Sequence, residues 1–485
     1  MKYWKAFLIV SSSFFYFSFT SESQGSLIHD KLKRCNTNDL DSTVLCGKLS
    51  VFENRQTNSG RKIDLNIMVI PAVHNNQANA PVFFFDGGPG VAATKNATFF
   101  SDSVNLYRLE HDIVLIDVRG TGESNPLHCR QLQFKEGLQQ QFVEMYPKQY
   151  VKECFDSLSA IADLTQYNTT NMAIDIEEIR IWLGYEKINI FGLSFGGRLA
   201  QVYMKMFSAS VENCVLWSPT TTYSRMPLYH AKYADASLKK LFDDCKTVSL
   251  CNLTFPDLQS EFNELAIRGK KGPFVFENIN QQGETLYITI PWHAFHTKIR
   301  SLMYMPFGLR QIPYIIHQSY LGNWKPFISL FTGESSYDDF IAEGLYLCVT
   351  CTEDVPFISK RDADSLASGT FMGDYRIQQQ TDACKLWTRG SVTDNFFDPL
   401  KSTIPTLVFS GYFDPVTPPS IAEQIVQGLP NGFHISIRTM SHTSDGLSHP
   451  ECFDKMVVDF FKNPKIKPNC DCIEQMLPDE FKIKE

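Results

Sequence analysis

Three residues far apart in the chain have the types needed for acyl transfer: Ser194, Asp414 and His442. Ser194 lies in INIFGLSFGG, residues 188–197, where an apolar run meets Gly192, Gly196 and Gly197. The G-x-S-x-G spacing between a strand and a helix describes a sharp turn that strains the serine backbone and exposes its hydroxyl at a sheet edge. The following helix directs its positive end there. A serine hydroxyl is a weak nucleophile without a base. Eleven histidines compete for that role. His442, in TMSHTSDG, follows an apolar strand and sits in a small polar loop late in the chain. His449 reads as a surface residue, and His434 would lie at the wrong end of the strand. Asp414, in LVFSGYFDPVTPP, directly follows a buried run and stands on a turn stiffened by Pro415. It would orient the imidazole from the side away from the serine. Asp445 and Asp398 are rivals that follow no such run.

An oxyanion site is needed as well, and FFFDGGPG offers one. Its glycines let backbone amides approach a carbonyl, and Pro89 fixes the turn. The expected donors are the amide of Phe195 and one from Gly87 or Gly88. Arg119, in DVRGTGES, is expected to pair with carboxylates and brace loops. The HAFH stretch, His293 to His296, lacks the carboxylate of a metal motif and reads as partly buried aromatics. The chemistry requires neither a metal nor an organic cofactor.

Positioning these groups falls to strands alternating with helices. KIDLNIMVIPA, PVFFFDGGPG and HDIVLIDVRGTG read as strands. A helix follows with Ile174, Ile176, Ile179, Ile181, Trp182 and Leu183 on an apolar face, stopped by Gly184. Next come a buried strand from Ile188 and a helix carrying Leu199, Val202, Tyr203 and Met206. Such alternation implies a mainly parallel sheet covered on both faces. It weakens over residues 223–395 and resumes at IPTLVFSGYFDPVTPP. The expected organisation is a first core part at 25–222, a large, mainly helical cap inserted at 223–395, and a second core part with a C-terminal tail at 396–485.

The composition restricts the partners. At 485 residues, 43% apolar and 20% charged, the chain is long enough for more than one compact unit and reads as globular. A formal charge of -8 without a basic block points away from nucleic acid. Residues 1–24 combine Lys2 and Lys5 with an apolar run and small polar residues, which reads as a secretory signal peptide. No later segment is apolar enough for stable membrane insertion. Thirteen cysteines suit an oxidising compartment. The expected bridges are Cys35–Cys46, Cys129–Cys154, Cys245–Cys251, Cys384 with Cys348 or Cys351, and Cys452 with Cys470 or Cys472. Cys214 reads as a buried free thiol. Asn96, Asn168 and Asn252 begin glycosylation sequons.

Taken together, DGGPG at 86–90, DVRGTGES at 117–124, GLSFGG at 192–197, GYFDPVTP at 411–418 and SHTSDG at 441–446 resemble the secreted tripeptidyl aminopeptidase and proline iminopeptidase family of α/β-hydrolase serine exopeptidases. The resemblance covers roughly residues 63–222 and 343–462. It implies the α/β-hydrolase fold with a helical cap and small peptide substrates shortened from the N-terminus by two or three residues, or by a proline. It places Ser194, Asp414 and His442 as nucleophile, acid and base. Two departures stand out: Asp86 where proline iminopeptidases commonly have histidine, and Phe195 where tyrosine or tryptophan is common. An aminopeptidase must also meet a charged amine, and an ammonium is costly to desolvate without a carboxylate. Among the acids Glu334, Asp338, Asp339, Glu343, Glu353 and Asp354, the candidates are Glu343 and Glu353, which border apolar residues. The other readings are an extracellular carboxylesterase using the same triad and an inactive hydrolase-fold binding protein. Secretion is expected, into the periplasm if the source is a Gram-negative bacterium. The sequence leaves the oligomeric state open.

Overall fold

The computed structural model describes residues 31–484, except 37–39, 75–78, 134–136, 280–284 and 332–340. The signal-peptide segment lies outside the described residues, as do Glu334, Asp338 and Asp339. Eleven strands are described: β1 (Lys33–Arg34), β2 (Leu45–Asn54), β3 (Ser59–Ile70), β4 (Val82–Phe85), β5 (Ile113–Ile116), β6 (Ile188–Leu193), β7 (Val211–Trp217), β8 (Phe274–Ile279), β9 (Thr285–Ile290), β10 (Thr406–Gly411) and β11 (Gly432–Ile437).

Nine of them form one sheet in the order β1-β2-β3-β5-β4-β6-β7-β10-β11. β2, β3 and β5 pair antiparallel, and every pairing from β5 across to β11 is parallel. The parallel strands β4, β5 and β10 are buried along their whole length, as helices on both faces require. Close packing at the centre depends on glycine. A Cβ on Gly196 would lie 1.9 Å from the Phe85 carbonyl oxygen, so only glycine lets the helix Phe195–Met206 rest against β4. Helix Thr169–Leu183 buries Met172, Ala173, Ile176, Ile179 and Leu183. It ends at Gly184 in the left-handed conformation, φ 85°. Ile181, expected on its apolar face, points outward and is 60% exposed.

β7 and β10 are neighbours in the sheet but are separated by 188 residues of chain, so the insertion leaves and returns at one place. That stretch divides in two. Residues between Ala231 and Ile328 supply most of a separate apolar cluster, which includes the β8–β9 hairpin residues Ile288 and Ile290. Ala342, Leu345, Leu347, Cys348, Val349, Cys351, Ala383 and Trp387 instead pack into the main core. Phe371 and Met372 return to the cap cluster, so residues 223–395 hold the cap together with segments that pack into the main core. Helix Glu343–Glu353 is buried on nearly every side, which marks an internal helix rather than part of a lid.

Five disulfides join Cys35–Cys46, Cys129–Cys154, Cys245–Cys251, Cys351–Cys384 and Cys452–Cys472. Cys351 and Cys472 are the chosen partners where two were open, and Cys214, Cys348 and Cys470 remain free. Burial pushes the Cys348 thiol up to about 12. Alkylation without reductant is expected to modify half-buried Cys470 in the native protein, and Cys214 and Cys348 only after denaturation. Non-reducing peptide mapping checks this, and modification of the ten paired cysteines without reductant would remove the bridges.

The sequons fare differently. Asn168 is buried and caps helix Thr169–Leu183 by accepting from the Asn171 amide at 2.9 Å, so it has no room for a glycan. Asn96 donates its side-chain amide to Asp86 Oδ2 at 2.6 Å, a bond that a glycan there would disturb. Asn252 is exposed.

Candidate active site

The end of β6 passes straight into helix Phe195–Met206 through Ser194, which has φ 56° and ψ -114°. A non-glycine residue in that region carries about 1–3 kcal/mol of backbone strain and persists only where its surroundings hold it. They do here: the Ser194 amide donates to the Trp217 carbonyl at 2.9 Å, and its carbonyl accepts from Gly197 at 3.0 Å and Thr220 at 3.0 Å. Gly192 and Gly196 are forced by contact, since a Cβ on Gly192 would lie 2.6 Å from the Gly196 carbonyl.

Asp414 and His442 stand beyond the ends of β10 and β11 and meet directly, with His442 Nδ1 2.8 Å from Asp414 Oδ2. Both are buried. Asp414 Oδ1 accepts from the amides of Val416 at 2.7 Å and Thr417 at 2.8 Å, and the Thr417 hydroxyl lies 2.7 Å from Oδ2. Burial raises the carboxyl's affinity for a proton, but the His442 ring and the Thr417 donors outweigh it and hold Asp414 below the usual range. The same threonine hydroxyl reaches the Ser218 carbonyl at 2.9 Å. Ser218 follows Trp217, which holds the Ser194 amide, so a short bonded path joins the turns of Ser194 and Asp414. The rivals are elsewhere engaged: Asp445 is exposed and bonded to Thr443, Asp398 is exposed, and His449 pairs with Glu451 at the surface.

The glycine loop after β4 lies beside β6, because β4 and β6 pair in parallel. Gly87 donates its amide to Asp86 Oδ1 at 2.6 Å. That carboxylate occupies the Gly87 donor, which leaves Gly88, with φ 108°, as the loop's candidate beside Phe195. Asp86, the departure from histidine noted in the sequence, is therefore a brace for the loop. Gly90 accepts from the amide of Ala342 at 2.9 Å, and a Cβ on it would meet Ala342 at 3.0 Å. Glu343, next in the chain, thus stands beside the loop, with the Tyr146 hydroxyl 3.2 Å from Oε2.

Glu353 is corrected. It is fully buried, and its two oxygens accept from the amide and hydroxyl of Thr169, both at 2.6 Å. Arg198 Nε lies 3.9 Å away, and Arg198 makes a two-pronged pair with Asp354 at 2.9 and 3.0 Å. These acids lock the root of the insertion to the helix of Ser194 and do not face a substrate. Arg119 behaves as expected, pairing with Asp175 through Nε and Nη2 at 2.6 and 2.8 Å while fully buried. His296 is buried among Trp292, Phe371 and Tyr375, and His293 stacks on Tyr375 at 4.7 Å.

Sequence reading missed Tyr304. Its carbonyl accepts from the His442 and Thr443 amides at 3.0 and 3.2 Å, and its ring packs edge-on to the imidazole at 5.1 Å. The Ser441 hydroxyl bonds to the Met303 carbonyl alongside. No motif surrounds Tyr304, and only the folded cap brings it to the histidine loop.

Residues 80–271 match the family model described as alpha/beta hydrolase fold, and residues 369–472 match that of TAP-like protein. Ser194 falls in the first match, and Asp414 and His442 in the second. A putative hydrolase, YuaR, of Escherichia coli (strain K12) is 28% identical over 184 residues, covering 36% of this chain and 35% of that protein. Serine protease Hip1 of Mycobacterium tuberculosis (strain ATCC 25618 / H37Rv) is 27% identical over 188 residues, with 36% and 35% covered. Tripeptidyl aminopeptidase of Streptomyces lividans is 25% identical over 199 residues, with 37% and 36% covered. The matches span roughly a third of the length of these relatives. Among solved structures, the proline iminopeptidase of Mycobacterium smegmatis superposes with a TM-score of 0.42 at 12% identity, covering 86% of this chain and 99% of that one. The chain has the α/β-hydrolase fold, and its residues 369–472 carry the TAP-like match.

Proposed function

We propose that the protein is a secreted serine exopeptidase that shortens peptides from a free N-terminus. The observation that carries this reading is the 2.8 Å bond between His442 and Asp414, set on strand ends beside the strained turn of Ser194. In this reading His442 takes the Ser194 proton as the hydroxyl attacks a peptide carbonyl. Asp414 steadies the imidazolium, and the amides of Phe195 and Gly88 hold the oxyanion. His442 then protonates the leaving amine and activates water to release the acyl group. Glu343, beside the glycine loop, is the carboxylate proposed to meet the substrate amine. The five disulfides support export. Relatives named as a tripeptidyl aminopeptidase and a serine protease favour peptide over ester substrates.

The test compares free peptides of increasing length with their N-acetylated forms and reads the products by mass spectrometry. Free-amine selectivity with two- or three-residue products is expected, and single released prolines would shift the reading to an iminopeptidase. Equal cleavage of acetylated and free peptides would remove the exopeptidase assignment. Turnover of short esters with peptide cleavage at background would favour a carboxylesterase.

A further inference from the structure

Beside His442 stands a buried guanidinium that pairs with no carboxylate among the described residues. Arg300, on helix Trp292–Leu302, is 3% exposed, and its Nε and Nη2 have no hydrogen-bond partner. Its guanidinium carbon lies 5.2 Å from the centre of the Tyr304 ring, the ring that packs against His442 at 5.1 Å. Arg376, on helix Tyr375–Leu386, donates Nη2 to the Tyr346 hydroxyl at 3.1 Å and leaves Nε without a partner. Gln380, one turn on, donates to the same hydroxyl at 2.8 Å. His230 opens helix His230–Thr247, is 5% exposed, and has no partner on either ring nitrogen.

These groups share one region. Arg300, Arg376 and His442 each act electrostatically on His230, and Arg376 and Tyr346 act on Arg300. Among the described residues, no ion pair involves Arg300 or Arg376, whereas buried Arg119 and Arg198 each hold an aspartate. Glu343, the acid closest along the chain to Tyr346, accepts from the Tyr146 hydroxyl at 3.2 Å and is absent from the ion pairs among the described residues.

Burying guanidinium groups without a counter-charge is costly, and leaving their donors unmade adds to that. A fold that tolerates this next to its reactive histidine is prepared for an anion that arrives with the substrate. A planar guanidinium suits a carboxylate, which can accept two parallel N–H bonds. We propose that Arg300, Arg376 and His230 form a carboxylate-binding subsite next to His442, so that preferred substrates carry a negative charge. This rests on the proposed exopeptidase reading and narrows its substrate class. The carboxylate is either an acidic side chain or the C-terminal carboxylate of a short peptide.

The experiment uses the full chain and an alanine tetrapeptide as free acid and as C-terminal amide. It also uses the amide carrying Glu or Gln at each position in turn. Wild type is expected to favour at least one carboxylate-bearing peptide over its uncharged match by about 10- to 100-fold in kcat/KM. A free-acid preference names the terminal carboxylate, and a Glu preference names a side chain. In Arg300→Gln, Arg376→Gln and the double variant, that ratio should fall toward one. Flat ratios in wild type, or a ratio that survives in the double variant, would overturn the subsite. Labelling of Ser194 by a fluorophosphonate reports separately on the reaction. Failure to label wild type counts against the serine-hydrolase reading, whereas labelling with flat ratios counts against the subsite alone. Glutarate gives a readout independent of turnover: it should slow labelling of wild type and lose that effect in the double variant. If the variants do not fold, the wild-type ratios and glutarate protection decide.

Discussion

Ser194→Ala is expected to lower kcat by about 10⁴- to 10⁶-fold while the protein keeps its fold, and His442→Ala should do comparable damage. The size follows from how the groups depend on one another. Without the hydroxyl there is no acyl-enzyme, and without the imidazole the hydroxyl stays protonated and weak. Asp414→Asn should cost somewhat less, because the ring keeps its place against Tyr304 while losing the carboxylate that Nδ1 faces. The losses should not add in double variants, since each removal disables the same step. Activity is read as release of peptide products, and fluorophosphonate labelling followed by peptide mapping reports on the nucleophile. Labelling of Ser194→Ala as complete as that of wild type would exclude Ser194. Near-normal turnover of Asp414→Asn would mean that another acid orients His442. The stability of Ser194→Gly adds a check on the strained turn, because glycine adopts φ 56° without the Cβ clash. That variant should be inactive yet no less stable than wild type.

The core of the candidate site is readable because each proposed member sits where a strand must end. GLSFGG, GYFDP and SHTSDG couple an apolar run to a polar turn, and the parallel pairing of β6, β7, β10 and β11 carries all three turns to one edge. Arg119 was legible for a similar reason, since a lone arginine in a strand-end turn needs a carboxylate. The errors have a common cause. Glu353 borders apolar residues as a substrate anchor would, but a helix buried on all sides borders apolar residues everywhere, so the neighbours could not separate a site from a core. Ile181 fits a helical stripe by spacing and yet faces outward, because the stripe is set by what packs against the helix. Asn168 carries a sequon, but its local role as a helix cap decides its fate. Arg300 with Tyr304, Arg376 and His230 come from three segments without motifs, and only the tertiary fold gathers them.

Arg198→Met should destabilise the protein by about 3–5 kcal/mol, the range for removing one partner of a buried ion pair. Arg198 lies four residues past Ser194 and is fully buried. It holds Asp354 through two nitrogens, and Asp354 also accepts from the Met226 amide at 3.0 Å. Removing the guanidinium strands Asp354 and Glu353 together in an apolar setting. The loss should therefore depend on pH. In wild type, burial pushes the Glu353 carboxyl up to about 7, with the Arg198 charge and the Thr169 donors pulling it down. A carboxyl whose folded-state pKa is raised gives stability below its unfolded value, about 4.3, and loses it as pH rises through the folded value. Without Arg198 both carboxyls shift further up, so the deficit should be larger at pH 8 than at pH 5. Urea unfolding of wild type and variant at the two pH values measures it as a fall in midpoint at similar slope. A midpoint unchanged at pH 8 would mean that the arginine is replaceable and that the root of the insertion is held by packing alone. Arg198→Lys separates charge from shape: a lysine restores one point charge but not the two-pronged bond, and should recover part of the loss. Because Arg198 shares a helix with the Ser194 turn, partial rescue of stability should be accompanied by partial rescue of fluorophosphonate labelling.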